Sequence, residues 1–263
     1  MESRPKRIVI TGAEGVVGSV LRRGLSTPYD LVALTRTPQT YPSIVADIVN
    51  PSAMLECFTG ANAVIHLAAA ARLSAEWAEV LHNNIIGTRN VFEAAMLARV
   101  PTIVFASSGH VIGLKEELAG SALYELSDER VFDERTPLAP DSLYAVSKVF
   151  GESLGRVYSE SFGMRVICVR LGIVLPDDDP CSDNPGRGRS GALPFKERFP
   201  RIRAKWLSHR DCCDLFSKCV ENTSVRFAIV FGTSNNPRQI WSLDTARDLL
   251  KYEPKDAAPE HPP

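Results

Sequence analysis

Short β-branched runs alternate along the chain with longer stretches of helical periodicity. Arg7-Ile8-Val9-Ile10 ends at Thr11-Gly12, and Asp30-Leu31-Val32-Ala33-Leu34 is a second run of the same kind. Similar runs stand at Ala63–Ala68, Thr102–Ala106, Val166–Val169 and Phe227–Phe231. Bounded by turn residues, they predict six buried strands. Helices are expected at 15–25, 75–98, 142–162, 208–221 and 243–250. In the second of these Val80, Asn84, Val91 and Ala95 recur at helical spacing, and Pro101 provides the stop. Asp141-Ser142 offers an N-cap to the third, and Gly163 a C-cap. Residues 109–140 and 176–200 read as loops, and the Pro-rich tail from Pro254 as frayed. No internal repeat is visible. Strands alternating with helices imply an α/β fold with a doubly wound parallel sheet, whose ligands sit outside the carboxyl ends of the strands.

Composition narrows the field. The 263 residues are 44% hydrophobic, enough for a packed core, and 30 basic against 31 acidic residues give a net charge of −1. That balance argues against a nucleic-acid partner. No apolar stretch reaches the roughly 18 residues of a membrane span, and the polar start, Met1 to Arg7, has no signal-peptide core. The six cysteines form no C-x-x-C pair, so they read as reduced core thiols of a cytoplasmic protein. His66, His82 and His209 lack ligand-like spacing, and no metal site is expected.

The first strand runs into Gly12-Ala13-Glu14-Gly15-Val16-Val17-Gly18, a G-x-x-G-x-x-G loop that opens a helix. Gly12 permits the tight turn, Gly15 lets a pyrophosphate approach the backbone, and Gly18 lets the helix sit close to the sheet. In this context the loop predicts a Rossmann-type dinucleotide site with Val16 and Val17 on its rim. The end of the second strand normally carries the acid that takes the ribose 2′-hydroxyl. Here Thr35-Arg36 stands there, and Asp30 lies at the wrong end. A guanidinium without a carboxylate favours NADP over NAD, with the Thr35 hydroxyl as a second donor to the phosphate. Asp47-Ile48 follows the turn and can cap the adenine edge.

Tyr144-Ala145-Val146-Ser147-Lys148 is Y-x-x-x-K, which puts a phenol and an ammonium on one helix face. The neighbouring charge is expected to lower the Tyr144 pKa, making it a general acid/base. Ser108, at the end of the fourth strand, can donate to the reacting oxygen.

These motifs resemble the extended short-chain dehydrogenase/reductases, in which Ser, Tyr and Lys serve a nicotinamide cofactor. TGAEGVVG, Asp47, HLAA at 66–69, NNIIGT at 83–88, FASS at 105–108 and LYAVSK at 143–148 carry the likeness over residues 7–175. It implies that Leu67, Ala68 and Ala69 flank the cofactor and that Asn84 orders a water beside Lys148. The chain is more closely similar to uronate dehydrogenases and the NAD-dependent glucose-6-phosphate dehydrogenases of archaea. FASSGHVIG at 105–113, LYAVSKVFGESLGRVY at 143–158, KWLSHRDC at 205–212 and SLDTARDLLKYEPKD at 242–256 carry that likeness. It implies oxidation of a sugar at the anomeric carbon to a lactone. Arg201 and His110 would touch the substrate, and helices 75–98 and 142–162 would pair across a homodimer axis. Gly109 stands where this branch has Asn, and Ala71 and Ile173 where uronate enzymes place hydroxyls. A buried sugar hydroxyl left unpaired costs about 1–3 kcal/mol, so the substitutions at the substrate positions Gly109 and Ile173 imply a smaller or less hydroxylated ligand.

The resulting division is a dinucleotide domain with the catalytic residues at 1–172, a small substrate region at 173–253 and the tail at 254–263. A nucleotide-sugar epimerase or dehydratase is the alternative enzyme, though such enzymes usually need a larger C-terminal region. A non-catalytic dinucleotide sensor is the alternative outside enzymes, and an intact Ser108, Tyr144 and Lys148 set weighs against it.

Overall fold

The computed structural model describes residues 5–182 and 194–261. Seven strands form one parallel sheet in the order β3-β2-β1-β4-β5-β6-β7. They are β1 (Arg7–Thr11), β2 (Asp30–Thr35), β3 (Ile44–Val45), β4 (Ala63–His66), β5 (Thr102–Ser108), β6 (Arg165–Leu171) and β7 (Phe227–Gly232). The chain reverses its direction of winding between β1 and β4, which pair side by side. That crevice is where a doubly wound sheet takes a ligand.

Side-chain alternation along β1 shows why both faces are covered. Ile8 and Ile10 point into one core with α1 (Val16–Gly24), α8 (His209–Glu221) and α9 (Asp244–Leu250). Val9 points into the other, with α2 (Pro51–Phe58), α4 (Gly87–Leu97) and α6 (Leu143–Phe162). Burial on both faces selects near-continuous apolar runs instead of alternating ones. The segment after residue 172 is part of the same layers: β7 pairs with β6, and α8 packs on α1.

Five local features differ from the sequence expectation. β3 and α2 lie between the second and third expected strands. β3 has only two residues, too few for a period, and α2 starts on Pro51 at its first turn. α5 (Gly113–Ala119) lies inside the expected loop at 109–140. The helix over 75–98 is not uniform: α3 (Trp77–Glu79) leads into a π-helical stretch, Val80–Ile86, before α4. Asn84 within it bonds the backbone of Ala70 in both directions, an interaction that favours the wider turn. The expected loop at 176–200 lies partly outside the described residues, and its last part is already helical, since α7 spans Phe195–Lys205 with Pro200 inside it.

The tail is the fifth: over 255–258 it is held in place and not frayed, while 262–263 lie outside the described residues. Backbone N–H groups of Lys255 and Asp256 donate to the buried Asp211 carboxylate at 2.8 and 3.0 Å. Asp256 accepts from Ser208 Oγ at 2.6 Å, and Ala258 is 2% exposed beside Trp206. Composition registered the prolines of the tail and missed the carboxylate waiting for its backbone.

Four cysteines (57, 168, 212 and 219) are buried, and all six are free. No helix among the described residues is long and apolar enough to cross a membrane, and no group of three or more of them could hold a metal ion.

Candidate active site

The glycine loop sits at the crevice between β1 and β4. Gly12 adopts φ +69°, and a Cβ there would lie 2.7 Å from the Ala68 nitrogen. Only glycine allows the loop to press on the end of β4 in this way. Gly15 caps α1 with no side-chain bond to the helix end, so the first N–H groups of α1 stay available to an anion. Gly12, Gly15, Val16, Val17 and Gly18 all line one cavity of about 750 Å³. Arg36, Asp47, Ile48, Leu67, Ala68 and Ala69 continue its wall. The glycine positions and the free N–H groups at the start of α1 fit a dinucleotide pyrophosphate.

Thr35 does not reach this wall. It is buried, and its hydroxyl donates to the Thr37 carbonyl at 3.0 Å. The expectation that it donates to a phosphate is therefore corrected: the pleat turns Thr35 inward while Arg36 faces the groove. Asp47 serves two purposes. It lines the cavity, and its Oδ1 accepts from the Val49 N–H at 3.1 Å. His66 is a core histidine, bonded to Thr11 and Thr88 hydroxyls at 2.8 and 3.0 Å. Burial first, and the Lys148 charge second, lower its pKa to about 3.

The other half of the cavity holds Ser108, Gly109, His110, Tyr144, Lys148, Ile173 and Arg201. β5 delivers Ser108 at its carboxyl end, and α6 delivers the phenol and the ammonium one turn apart. Ser142 fixes the start of α6 by accepting from the Ala145 N–H at 3.2 Å. The Ser108 hydroxyl, which accepts from the His110 N–H at 3.2 Å, acts on the Tyr144 phenol to lower its pKa. Lys148 donates to the Ala106 carbonyl at 2.7 Å, with its nitrogen 5.5 Å from the centre of the Tyr144 ring.

The electrostatics of this group correct a second expectation. Burial pushes Tyr144 up to about 12, and the Ser108 bond only partly opposes it. Burial also pulls Lys148 down to about 8. The cation is turned to a carbonyl and is itself desolvated, so it does not overcome the loss of water around the phenol. Tyr144 is a protonated phenol at neutral pH, ready to donate.

Asn84 lies behind the wall and not in it. It is buried, its Oδ1 accepts from the Ala70 N–H at 2.7 Å, and its Nδ2 donates to Ser147 Oγ at 2.9 Å. Its amide braces the loop after β4 against α6 through Ala70 and Ser147.

The substrate end contains residues that the sequence reading passed over. His110 bonds Asp141 through Nδ1 at 2.6 Å. Burial lowers its pKa, Asp141 opposes this, and the Lys205 and Arg201 charges add to the lowering. His110 is thus neutral at pH 7, its Nδ1 proton assigned by the carboxylate it faces. Lys205, one turn after Arg201 on α7, pairs with Glu116 at 2.9 Å, both side chains under 5% exposed. Trp241 donates its indole N–H to the same carboxylate at 3.1 Å. The edge of that indole occupies the place where a Cβ of residue 109 would go. Trp241 thus leaves no room for a side chain at position 109. Lys205 opens the 205–212 motif and Trp241 immediately precedes the one at 242–256, and only the tertiary structure brings the Lys205 nitrogen within 4.4 Å of the Trp241 ring on one wall.

The comparisons agree with this architecture. The model of the NAD dependent epimerase/dehydratase family matches residues 8–175. The NAD-dependent glucose-6-phosphate dehydrogenase of Haloferax volcanii is 34% identical, over 96% of this chain and 94% of that protein. The L-arabinose 1-dehydrogenase (NAD(P)(+)) of the same organism is also 34% identical, over 95% of this chain and 96% of its own length. Among solved structures, a variant of uronate dehydrogenase from Agrobacterium tumefaciens complexed with NAD superposes with a TM-score of 0.76. It is 27% identical, with 95% of this chain and 85% of that one covered. A family match across most of the sheet, and relatives matched from end to end, mean that the chain belongs to the NAD dependent epimerase/dehydratase family.

Proposed function

We propose that the protein is an NAD(P)-dependent dehydrogenase that oxidises a sugar or sugar derivative at its anomeric carbon. The observation that carries this reading is one continuous cavity lined by the glycine loop at one end and by Ser108, Tyr144 and Lys148 at the other. The nicotinamide, when bound, supplies the hydride acceptor. Gly12, Gly15, Val16, Val17 and Gly18 hold the pyrophosphate, Asp47 and Ile48 the adenine, and Leu67, Ala68 and Ala69 the central part of the cofactor. Ser108 donates to the anomeric oxygen and orients it towards Tyr144. In oxidation Tyr144 takes the hydroxyl proton in its phenolate form, and in reduction it returns that proton from the phenol. The Lys148 ammonium supports the phenolate. Asn84 acts one layer back, holding Ser147 and so the register of Lys148. His110 and Arg201 meet the substrate, its Nε2 as an acceptor and the guanidinium as a donor. Gly109 and Ile173 leave part of the wall without hydrogen-bonding groups, which supports a ligand with fewer hydroxyls than a hexuronate.

Arg36, exposed on the cavity wall, supports acceptance of NADP beside NAD. The test is a screen by nicotinamide absorbance over aldoses, uronates and sugar phosphates with both cofactors. At least one class should be oxidised. Tight cofactor binding with no turnover in any class would overturn the dehydrogenase reading.

The same reading includes a homodimer. α4 and α6 pack side by side, and Ile86, at the end of the π-helical stretch, and Leu97, Val146, Val157 and Phe162, on the two helices, are between 41% and 56% exposed. Exposed apolar side chains on two neighbouring helices support a two-fold partner that presents the same pair of helices. Sedimentation at micromolar concentration should give a dimer, and Val157→Asp a monomer. A monomeric parent protein would refute the assembly.

A further inference from the structure

β2 brings no acid to the adenosine end of the cavity. Its one carboxylate, Asp30, pairs in register with Arg7 at the opposite end of the strand, 4.0 Å from the guanidinium. Thr35, at the right end, is turned inward with its hydroxyl spent. A carboxylate nevertheless reaches that place from another element. Glu14 sits between the first two glycines of the loop, is exposed, and lines the cavity with Leu34, Arg36 and Asp47. Its Oε1 lies 3.5 Å from the Arg36 backbone nitrogen, which donates to it. The loop is held against the strand end at this point. The Ala13 N–H donates to the Leu34 carbonyl at 3.4 Å, and the Tyr41 hydroxyl to the Ala13 carbonyl at 3.4 Å. The Tyr41 ring is in turn covered by the Arg22 guanidinium, 3.3 Å from its centroid.

We propose that Glu14 stands in for the missing strand-end acid: it accepts from the adenosine ribose hydroxyls and disfavours a 2′-phosphate. This deepens the cofactor half of the function proposed above and rests on it. The chemistry follows from charge. A carboxylate is an acceptor only, so it takes hydrogen bonds from a diol. A 2′-phosphate has no such proton to give and carries close to two negative charges, which the same carboxylate repels. Arg36 pulls the other way. The two side chains share one strand end, so the balance between NAD and NADP is set by a pair of opposite charges and not by Arg36 alone. Asp47 also lines this wall, but its Oδ1 is held within its own turn by the Val49 N–H at 3.1 Å, a closer hold than the 3.5 Å contact of Glu14 with the Arg36 N–H.

Calorimetric titration of the cofactor-free protein with NADH and NADPH tests the assignment without any substrate. The parent protein should bind NADH at least as tightly as NADPH. Glu14→Gln keeps the size and an acceptor oxygen but removes the charge, and should tighten NADPH relative to NADH by about tenfold or more. Arg36→Ala should move the ratio in the opposite direction, and Asp47→Asn should move it less than Glu14→Gln does. A Glu14→Gln ratio within about threefold of the parent would overturn the proposal, as would a larger shift from Asp47→Asn than from Glu14→Gln. Failure of the parent to bind either dinucleotide would strike at the dehydrogenase reading itself, and is distinguishable because no ratio then exists.

Discussion

Replacing Tyr144 by Phe is expected to lower turnover at least about 100-fold, the lower end of what a positioned acid/base contributes. The substitution keeps the ring and removes the transferable proton. Ser108 stays in place, because its hydroxyl accepts from the His110 N–H at 3.2 Å. Binding of the dinucleotide should change little, because the glycine loop and the wall around Asp47 lie at the far end of the cavity. The expected signature is therefore a fall in kcat with cofactor affinity almost unaltered, measured by steady-state kinetics and by titration. Turnover within a few-fold of the parent would remove Tyr144 from the proton-transfer step. The phenol's pKa of about 12 makes the effect direction-dependent. Carbonyl reduction starts from the protonated phenol, which is the dominant form at neutral pH. Alcohol oxidation needs the phenolate, so its rate should gain with rising pH while Lys148 keeps its charge.

Replacing Glu152 by Ala is expected to cost about 3–5 kcal/mol of folding stability, the range for breaking a buried ion pair from one side. Glu152 lies on α6 one turn beyond Lys148 and is 4% exposed. Arg170 on β6 holds both of its oxygens at 2.9 Å, and Ser107 donates to one of them at 2.6 Å. Ser107 and Arg170 are register partners between β5 and β6. One carboxylate thus ties together the strand that ends in Ser108, the helix that carries Tyr144 and Lys148, and the strand beside them. Without it the guanidinium is stranded in a dry interior. Urea unfolding should show the loss, and the double variant Glu152→Ala with Arg170→Met should recover part of it by removing the orphaned charge. A loss below about 1 kcal/mol would show that the pair is solvated and contributes like a surface bridge.

Much of the fold was legible because its signals are local. The β-branched runs found all six longer strands, and the N-cap at Ser142 and the left-handed Gly163 bounded α6 closely. Gly12, Gly15 and Gly18, like Tyr144 and Lys148, are read at fixed spacing within one or two turns of chain, and the cavity contains all five. What failed did so where distant segments meet. Thr35 looked available because a strand's last residue is near the ligand, but the pleat decides which of Thr35 and Arg36 faces it. Lys148 looked sufficient to lower the Tyr144 pKa because spacing shows proximity and not dehydration. The tail looked frayed because composition does not reveal that Asp211, more than forty residues earlier, accepts its backbone N–H groups.

The sequence by itself determined the kind of protein this is: parallel strands in alternation with helices, a backbone cradle for a pyrophosphate, and a phenol beside an ammonium. Those follow from periodicity, glycine's freedom and i,i+4 geometry, which act over a few residues. Only the tertiary structure decided that Glu14 reaches the end of β2, that Trp241 takes the space beside Gly109, that Lys205 is neutralised by Glu116, and that Asp141 orients His110. Each of these is a pairing of charge or volume between elements brought together by strand order, and burial there, not spacing along the chain, sets what the side chain can do.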